Sequence, residues 1–432
     1  MSEPQAEHSK ATRRFLTLLW CLVVATAVSA PLAMVPGSYD VFRTPKDVVF
    51  LTLSLLLIAV GAAGALLSDE IGRALRPQSS AALVALAAAA WTGIATLTSL
   101  RPTVSLWKPL TVVCFAAFFT AVVILARRRG LPALLVVFIP AAINAIVSTL
   151  QSTGIWYPWA VDPRMPQRLR TTGLIGNPND LGTYLVVPAI AAIAAAVVWR
   201  NHKWLYALAA LMLVGVASAQ SVTPVLAAAA GLFALMTTGG SRRLRIAVIV
   251  AAFALVFLAA AHPGSRQRFQ RLFAVASSGQ LPEITSFRVV PAATALQMFR
   301  ERPLIGGGPG TFSATYMTEK LKADEAYPQW IRPRNMMFAQ VHNDHLQVLA
   351  ETGLPGYLLF IGALVLLGAI TFRTSPSDDP RVRFARLFAF PAALTFAVLT
   401  LAQFPLQLTS PMVADLHLAA LCFAWTSSNA SA

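Results

Sequence analysis

The sequence predicts an all-α polytopic membrane protein of about twelve transmembrane helices with one large helical loop, and three observations carry that prediction. First, 56% of the 432 residues are hydrophobic and only 12% are charged. An average soluble domain carries about 25% charged residues, so this chain has too few to coat a soluble globule of its size. Second, apolar runs recur at the length of about 20 residues that crosses a bilayer core as a helix. Third, Lys and Arg alternate between rich and poor connections along the chain, the pattern that orients a membrane bundle. A disordered chain is excluded, since it would need low hydrophobicity. A disulfide scaffold is excluded too: Cys21, Cys114 and Cys422 all lie in apolar runs and read as small hydrophobes.

The expected spans are 14–34, 47–67, 80–98, 106–126, 131–150, 182–199, 203–219, 221–237, 244–261, 354–372, 386–408 and 411–426. The core of the first is too long for a cleaved signal peptide, and many spans follow it, so it reads as a retained helix. Spans seven and eight are split by a weak break at Gln220-Ser221, and the last pair at Ser410-Pro411. The chain thus divides into 1–261 (nine spans with a connection at 151–181), a large loop at 262–341, and 342–432 with a histidine motif and three spans. No internal repeat or second soluble domain is evident.

Net charge is +16. Twelve spans put both termini on one side. The connections on that side hold 17 of the 34 basic residues, among them Arg127, Arg128, Arg129, Arg242, Arg243 and Arg245. The short connections opposite hold 7: Arg43, Lys46, Arg101, Lys108, Arg164, Arg168 and Arg170. This bias predicts cytoplasmic termini. The remaining 10 lie in 262–341, against only five acids, Glu283, Glu301, Glu319, Asp324 and Glu325. Long loops escape the orientation rule, so those ten need another explanation.

A loop of this length is expected to contain helices of its own. Ser286 to Met298 reads as one, with Pro291 inside it, and beyond Arg302-Pro303 comes the cluster Gly306-Gly307-Gly308-Pro309-Gly310. Such a cluster marks a turn and permits close backbone approach. In the 151–181 connection, Trp156, Tyr157 and Trp159 suit a membrane interface. Arg168-Leu169-Arg170-Thr171-Thr172-Gly173 follows, then Gly176-Asn177-Pro178-Asn179-Asp180, a turn that also suits capping of the sixth span.

His342 and His345 stand where the basic loop re-enters the apolar region, in His342-Asn343-Asp344-His345-Leu346-Gln347. Polar groups just before an apolar span are costly unless they face a polar site. Histidine is also the side chain best placed to take a proton near neutral pH. A metal reading lacks the sharper spacings such as H-E-x-x-H, and a capping role for Asn343 or Asp344 is compatible with a catalytic His342. Asp415 and His417, inside the last span, read either as functional groups or as a structural pair. Guanidinium groups are the preferred partners of phosphate. Arg170, Arg266 and Arg288 therefore suggest a site that holds a pyrophosphate and stabilises it as a leaving group. The competing explanation for any one arginine is attraction to anionic lipid head groups. The topology argues against nucleic acid.

The run His342-Asn343, nine residues, Gly353, two residues, Gly356 resembles the signature of bacterial O-antigen ligases. Their superfamily includes O-antigen polymerases and O-linked protein oligosaccharyltransferases. Two further stretches resemble it: Arg170 to Gly173 on to Asn177-Pro178-Asn179, and Ser286-Phe287-Arg288 followed by Pro303 to Phe312. The resemblance implies a GT-C-like glycosyltransferase of the bacterial inner membrane with its active site facing the periplasm. The implied donor is O-antigen polysaccharide on undecaprenyl pyrophosphate, and the implied acceptor is a sugar hydroxyl of lipid A–core oligosaccharide. His342 would be the base. Arg288 and Arg170 would bind the pyrophosphate, with Arg266 behind them and Asn343, His345, Asn177 and Asn179 as secondary candidates. Transfer would invert the anomeric centre and need no metal, nucleotide or other cofactor. A polymerase or protein oligosaccharyltransferase is the implied alternative. A transporter is a poorer fit, since the polar motif lies at a span boundary and not between repeated halves.

Overall fold

The computed structural model describes residues 9–76, 79–239, 241–261, 287–331 and 336–426, with isolated positions 266, 267, 270, 274 and 285 between them. The helices are α1 (Lys10–Leu32), α2 (Arg43–Leu67), α3 (Asp69–Ala74), α4 (Ser80–Leu97), α5 (Pro102–Ser105), α6 (Trp107–Leu125), α7 (Leu131–Ser152), α8 (Gln167–Arg170), α9 (Pro178–Val198), α10 (Trp204–Ser218), α11 (Val222–Thr238) and α12 (Arg242–Ala261). After the large loop segment come α13 (Val289–Glu301), α14 (Phe312–Ala326), α15 (Asp344–Arg373), α16 (Pro380–Ala402) and α17 (Thr409–Thr426). No strand occurs among the described residues. Each of the twelve expected segments is helical. Among the described residues, eight helices are long and apolar enough to cross a membrane; α10 and α11 are shorter apolar helices.

Local signals set the helix starts. The Ser79 hydroxyl accepts the Ala82 amide at 3.2 Å, and the Asp379 carboxylate accepts the Arg381 amide at 2.8 Å with Pro380 opening the helix behind it. Both are N-cap arrangements that satisfy otherwise orphaned donors. The core is built around α9, whose membrane window is 94% buried. Its run of Ala and Ile residues lets α10, α11, α16 and α17 approach closely, as small residues do between apolar helices. The outward faces carry exposed Leu66, Leu67, Phe253, Phe257, Leu358 and Val365. That rim is what a lipid-facing surface requires, and the chain is a multi-pass membrane protein.

The two sets of connections sort to opposite ends. At one end the Ser9 amide bonds Glu70, Arg381 bonds the Arg127 carbonyl, and Trp425 bonds the Ala126 carbonyl. At the other, Lys46 reaches the carbonyls of Ala33 and Leu174, Lys108 reaches Gln407, and the Leu100 amide bonds the Gly307 carbonyl.

Two expectations need correction. The eleventh segment ends at Ala402 and not at 408. Phe404 precedes Pro405, and a residue before proline is pushed out of the helical region. The break is a short turn at Pro405–Gln407, while Pro411 sits in the first turn of α17, where proline is tolerated. The loop helix begins at Val289, after Phe287 in a left-handed conformation (φ 64°), and not at Ser286, which lies outside the described residues.

The tenth segment carries a kink that fixes the whole end of the bundle. Within α15, Gly353 adopts φ 68°, ψ −171°, and Pro355 follows. A continuous helix would bond the Leu354 amide to the Ala350 carbonyl, and Pro355 has no amide to offer Glu351. The glycine cluster makes the exchange: Leu354 donates to the Pro303 carbonyl at 2.8 Å, while Gly307 and Gly308 donate to the carbonyls of Ala350 and Glu351 at 2.8 and 2.9 Å. The Glu351 carboxylate then accepts the amides of Gly310 and Phe312 at 2.7 and 3.3 Å. A Cβ on Gly353 would collide with the Leu304 carbonyl oxygen, so both the positive φ and the contact demand glycine. Gly353→Ala should therefore destabilise the protein by ~1–3 kcal/mol. Thermal unfolding in detergent followed by size-exclusion should show a lowered midpoint; an unchanged midpoint would refute the interlock.

Candidate active site

His342 sits two residues before α15, and its backbone is left-handed at φ 57°. Non-glycine residues adopt this conformation rarely and at a cost, usually where surroundings over-determine it. Here the surroundings are visible. Val341 is 1% exposed in a small core with Met298, Phe312, Tyr316 and Ala350, and its amide donates to the Gln347 side chain at 3.1 Å. On the other flank, Asn343 caps α15 by accepting the Leu346 amide at 3.0 Å, and its own amide group reaches the Leu401 carbonyl at 3.0 Å. The imidazole is held edge-to-face by Phe404 at 4.8 Å and Phe338 at 6.3 Å between centroids. Its Nδ1 has no hydrogen-bond partner among the described residues.

Burial, and then the positive charge of Arg288, push the His342 pKa down to about 4. Both effects disfavour imidazolium, so the ring is neutral at physiological pH, with lone-pair nitrogen to spare. Arg288 is half-buried immediately before α13, and α13 packs along α15. Asp344, fully buried, accepts the Leu406 amide at 2.9 Å and so pins the 405–407 turn that carries Phe404.

His345 is differently employed. Its Nε2 meets the Thr400 hydroxyl at 3.0 Å and its Nδ1 meets the Tyr357 hydroxyl at 3.3 Å. With both ring nitrogens engaged it serves as a pin between α15 and α16. The two histidines are thus distinguished by what surrounds them, not only by position.

The second loop arrives through α9. Asn177 caps that helix by accepting the Asn179 amide at 2.8 Å, and the Asn179 side chain accepts from the Arg168 guanidinium at 2.6 Å. Asp180 faces Arg43 at 3.9 Å, and the Arg43 guanidinium lies 5.9 Å from the centre of the Phe404 ring that packs on His342. Arg43 and Phe404 therefore join the two loops, and neither is among the site residues expected from sequence. Arg43 carried a signal in its position at the head of a span on the same side; Phe404 lay inside an expected helix. Arg170 ends α8 with its guanidinium 5.8 Å from the Tyr157 ring centre. Arg266 is exposed, and no described interaction ties it to His342.

Asp415 and His417 do not form the structural pair that was one expectation. Two residues apart on a helix, they face different ways. His417 meets the Ala133 carbonyl at 2.9 Å between Trp20 and Phe118, whereas both Asp415 carboxylate oxygens lack a partner among the described residues. Among the described residues no group of three or more His, Cys, Asp or Glu side chains could hold a metal ion.

The fold and this site define a helical multi-pass membrane protein that gathers a neutral histidine and arginines at one end of its bundle. Residues 207–361, which run from α10 through the loop segment to the first half of α15, match the family model described as O-antigen ligase. Over this stretch the chain is similar to that family, as the histidine and arginine motifs implied. The match takes in His342, Arg288, the glycine cluster and the Gly353 kink. No curated protein matches the chain.

The electrostatics give a direct test. Removing the positive charge beside His342 should raise its pKa toward the ordinary 6.5. Histidine-labelled protein titrated by NMR should show His342 protonating well below that value, and Arg288→Gln moving the midpoint upward. A midpoint that stays put in the variant would show that Arg288 does not act on the ring.

Proposed function

We propose that the protein is an O-antigen ligase proper. It transfers O-antigen polysaccharide from undecaprenyl pyrophosphate to a sugar hydroxyl of lipid A–core oligosaccharide. The observation that carries this reading is the pairing of a neutral imidazole, whose Nδ1 has no partner among the described residues, with an arginine whose charge it feels. A base and a cationic anchor for a leaving group are the two components that metal-free transfer from a pyrophosphate needs.

In the proposed step, His342 takes the proton of the acceptor hydroxyl as that oxygen attacks the anomeric carbon. The carbon–oxygen bond to the pyrophosphate breaks and its electron pair leaves with the phosphate oxygen. Arg288, Arg170 and Arg43 receive the departing charge through bidentate-capable guanidiniums, with Arg266 a further candidate. Attack opposite the leaving group inverts the anomeric centre. His342 then releases its proton to water. The charge bias of the connections supports cytoplasmic termini and a site facing the periplasm of a bacterial inner membrane. On this reading residues 1–261, 262–341 and 342–432 supply a first helical body, the arginine-bearing loop and the histidine segment.

Removing a general base costs ~10²–10⁴-fold in rate. Complementing a deletion strain with His342→Ala should leave bare lipid A–core on a lipopolysaccharide gel while lipid-linked polymer accumulates and the protein still inserts. Arg288→Ala should do the same, and His345→Gln should retain substantial capping. Core capped with a single repeat unit in the deletion strain would instead mean a polymerase, and normal capping by His342→Ala would sink the reading.

A further inference from the structure

Three polar residues share one inward face at the start of α15: Asp344, Gln347 and Glu351, spaced i, i+3 and i+7 and all buried. Buried polar groups are costly unless each is used. Here each holds the backbone of a different segment. Asp344 accepts the Leu406 amide at 2.9 Å, Gln347 accepts the Val341 amide at 3.1 Å, and Glu351 accepts the amides of Gly310 and Phe312 at 2.7 and 3.3 Å. Gln347 also reaches along that face. Its Nε2 donates to Glu351 Oε1 at 3.2 Å and to Gln340 Oε1 at 2.7 Å. A continuous chain of hydrogen bonds results. It starts at the glycine loop, crosses the Glu351 carboxylate and the Gln347 carboxamide, and ends at the Val341 amide, next to His342.

The chemistry of the middle link is specific. The Val341 amide donates and the Glu351 carboxylate accepts, so the group between them must accept on one side and donate on the other. A carboxamide does both from a single planar group. An ionised carboxylate has no proton to donate, and an ammonium has no lone pair to accept with.

The strain lies where this chain ends. His342 is left-handed at φ 57°, a conformation that costs a residue with a Cβ. Val341 is held by its amide and its buried side chain, and Asn343 is held as the cap of α15. Residue 342 must turn between those two fixed flanks. Without the Gln347 link one flank is free, and His342 can relax to an ordinary backbone that carries the imidazole away from Phe404 and Phe338.

We propose that Gln347 is a positioning residue for His342: it transmits the glycine-loop joint to the histidine's backbone and so sets where the imidazole stands. The positional effect stands on these hydrogen bonds. Its consequence for transfer rests on the proposed role of His342 as base.

The test compares Gln347→Met, which keeps the length and loses every side-chain hydrogen bond, with Gln340→Ala, which leaves the chain from Glu351 to Val341 intact. In histidine-labelled full-length protein, Gln347→Met should move the His342 midpoint up toward 6.5 as the ring leaves its buried place. The His345 signals should stay put, and Gln340→Ala should match the native protein. With lipid-linked O-antigen and lipid A–core, Gln347→Met should lower kcat ~10²-fold, the cost of a misplacement of about 1 Å, and leave KM within about twofold. A His342 midpoint that Gln347→Met leaves unchanged would overturn the inference, and so would a native kcat in that variant. A shifted midpoint, where the native protein shows no transfer, would sink the function and leave the positional link standing. Should the variant not fold, hydrogen exchange on the native chain decides. The Val341 amide should be protected as well as those of Gly310 and Phe312, and exchange at the rate of an open loop would overturn the link.

Discussion

The end of the bundle that carries His342 depends on an exchange of backbone hydrogen bonds. Gly353 breaks α15, and the carbonyls of Ala350 and Glu351 lose their helical donors. Gly307 and Gly308 supply new ones, and the orphaned Leu354 amide finds Pro303. Each bond is worth only ~0.5–1.5 kcal/mol net, but leaving a buried carbonyl unpaired would cost ~1–3 kcal/mol. The kink and the glycine loop are therefore each tenable only in the presence of the other. Glu351 reinforces the joint by presenting its carboxylate to the amides of Gly310 and Phe312.

Functional geometry follows from that joint. The glycine loop continues the C-terminal end of α13, and Arg288 stands at the opposite end of that helix. Locking the loop to the kink locks α13 against α15, which fixes Arg288 relative to His342. The Ser105 hydroxyl and the Leu100 amide tie the same loop to the turn after α4, at the Pro309 and Gly307 carbonyls. The glycine loop thus ties α13 to the end of the helical bundle. His342 can be kept in a costly left-handed conformation because Val341, Asn343 and Phe404 are each anchored independently.

Periodicity and charge made the bundle legible in the sequence. Apolar length alone located twelve helices, because a segment that lies in hydrocarbon must satisfy its backbone internally and announces itself by composition. The histidine and arginine candidates were legible for a different reason: charges are scarce in this chain, so each one outside the orienting set stands out. What composition could not show was pairing. Motif position alone separates His342 from His345 in the string; Thr400, 55 residues away, separates them physically by occupying one of the second ring's nitrogens. Phe404 was hidden because apolar residues before Pro405 look like the end of a span. Arg43 was absorbed into an orientation count, although its contact with Asp180 belongs to the fold.

The same electrostatics bear on how transfer would be timed. Burial and Arg288 hold His342 far below its ordinary pKa, which keeps it neutral and also makes it a weak base. A base of that strength activates a hydroxyl poorly. A pyrophosphate seated against the arginines would cancel the charge that suppresses imidazolium, and the pKa of His342 would rise toward the range where a general base is effective. On the proposed reading the donor would thus switch on the base that consumes it. Without donor the ring would stay inert, and water entering the site would meet a histidine too weak to deprotonate it. Arg288 would then act twice, once on the leaving group and once on the base, because its charge already reaches the imidazole.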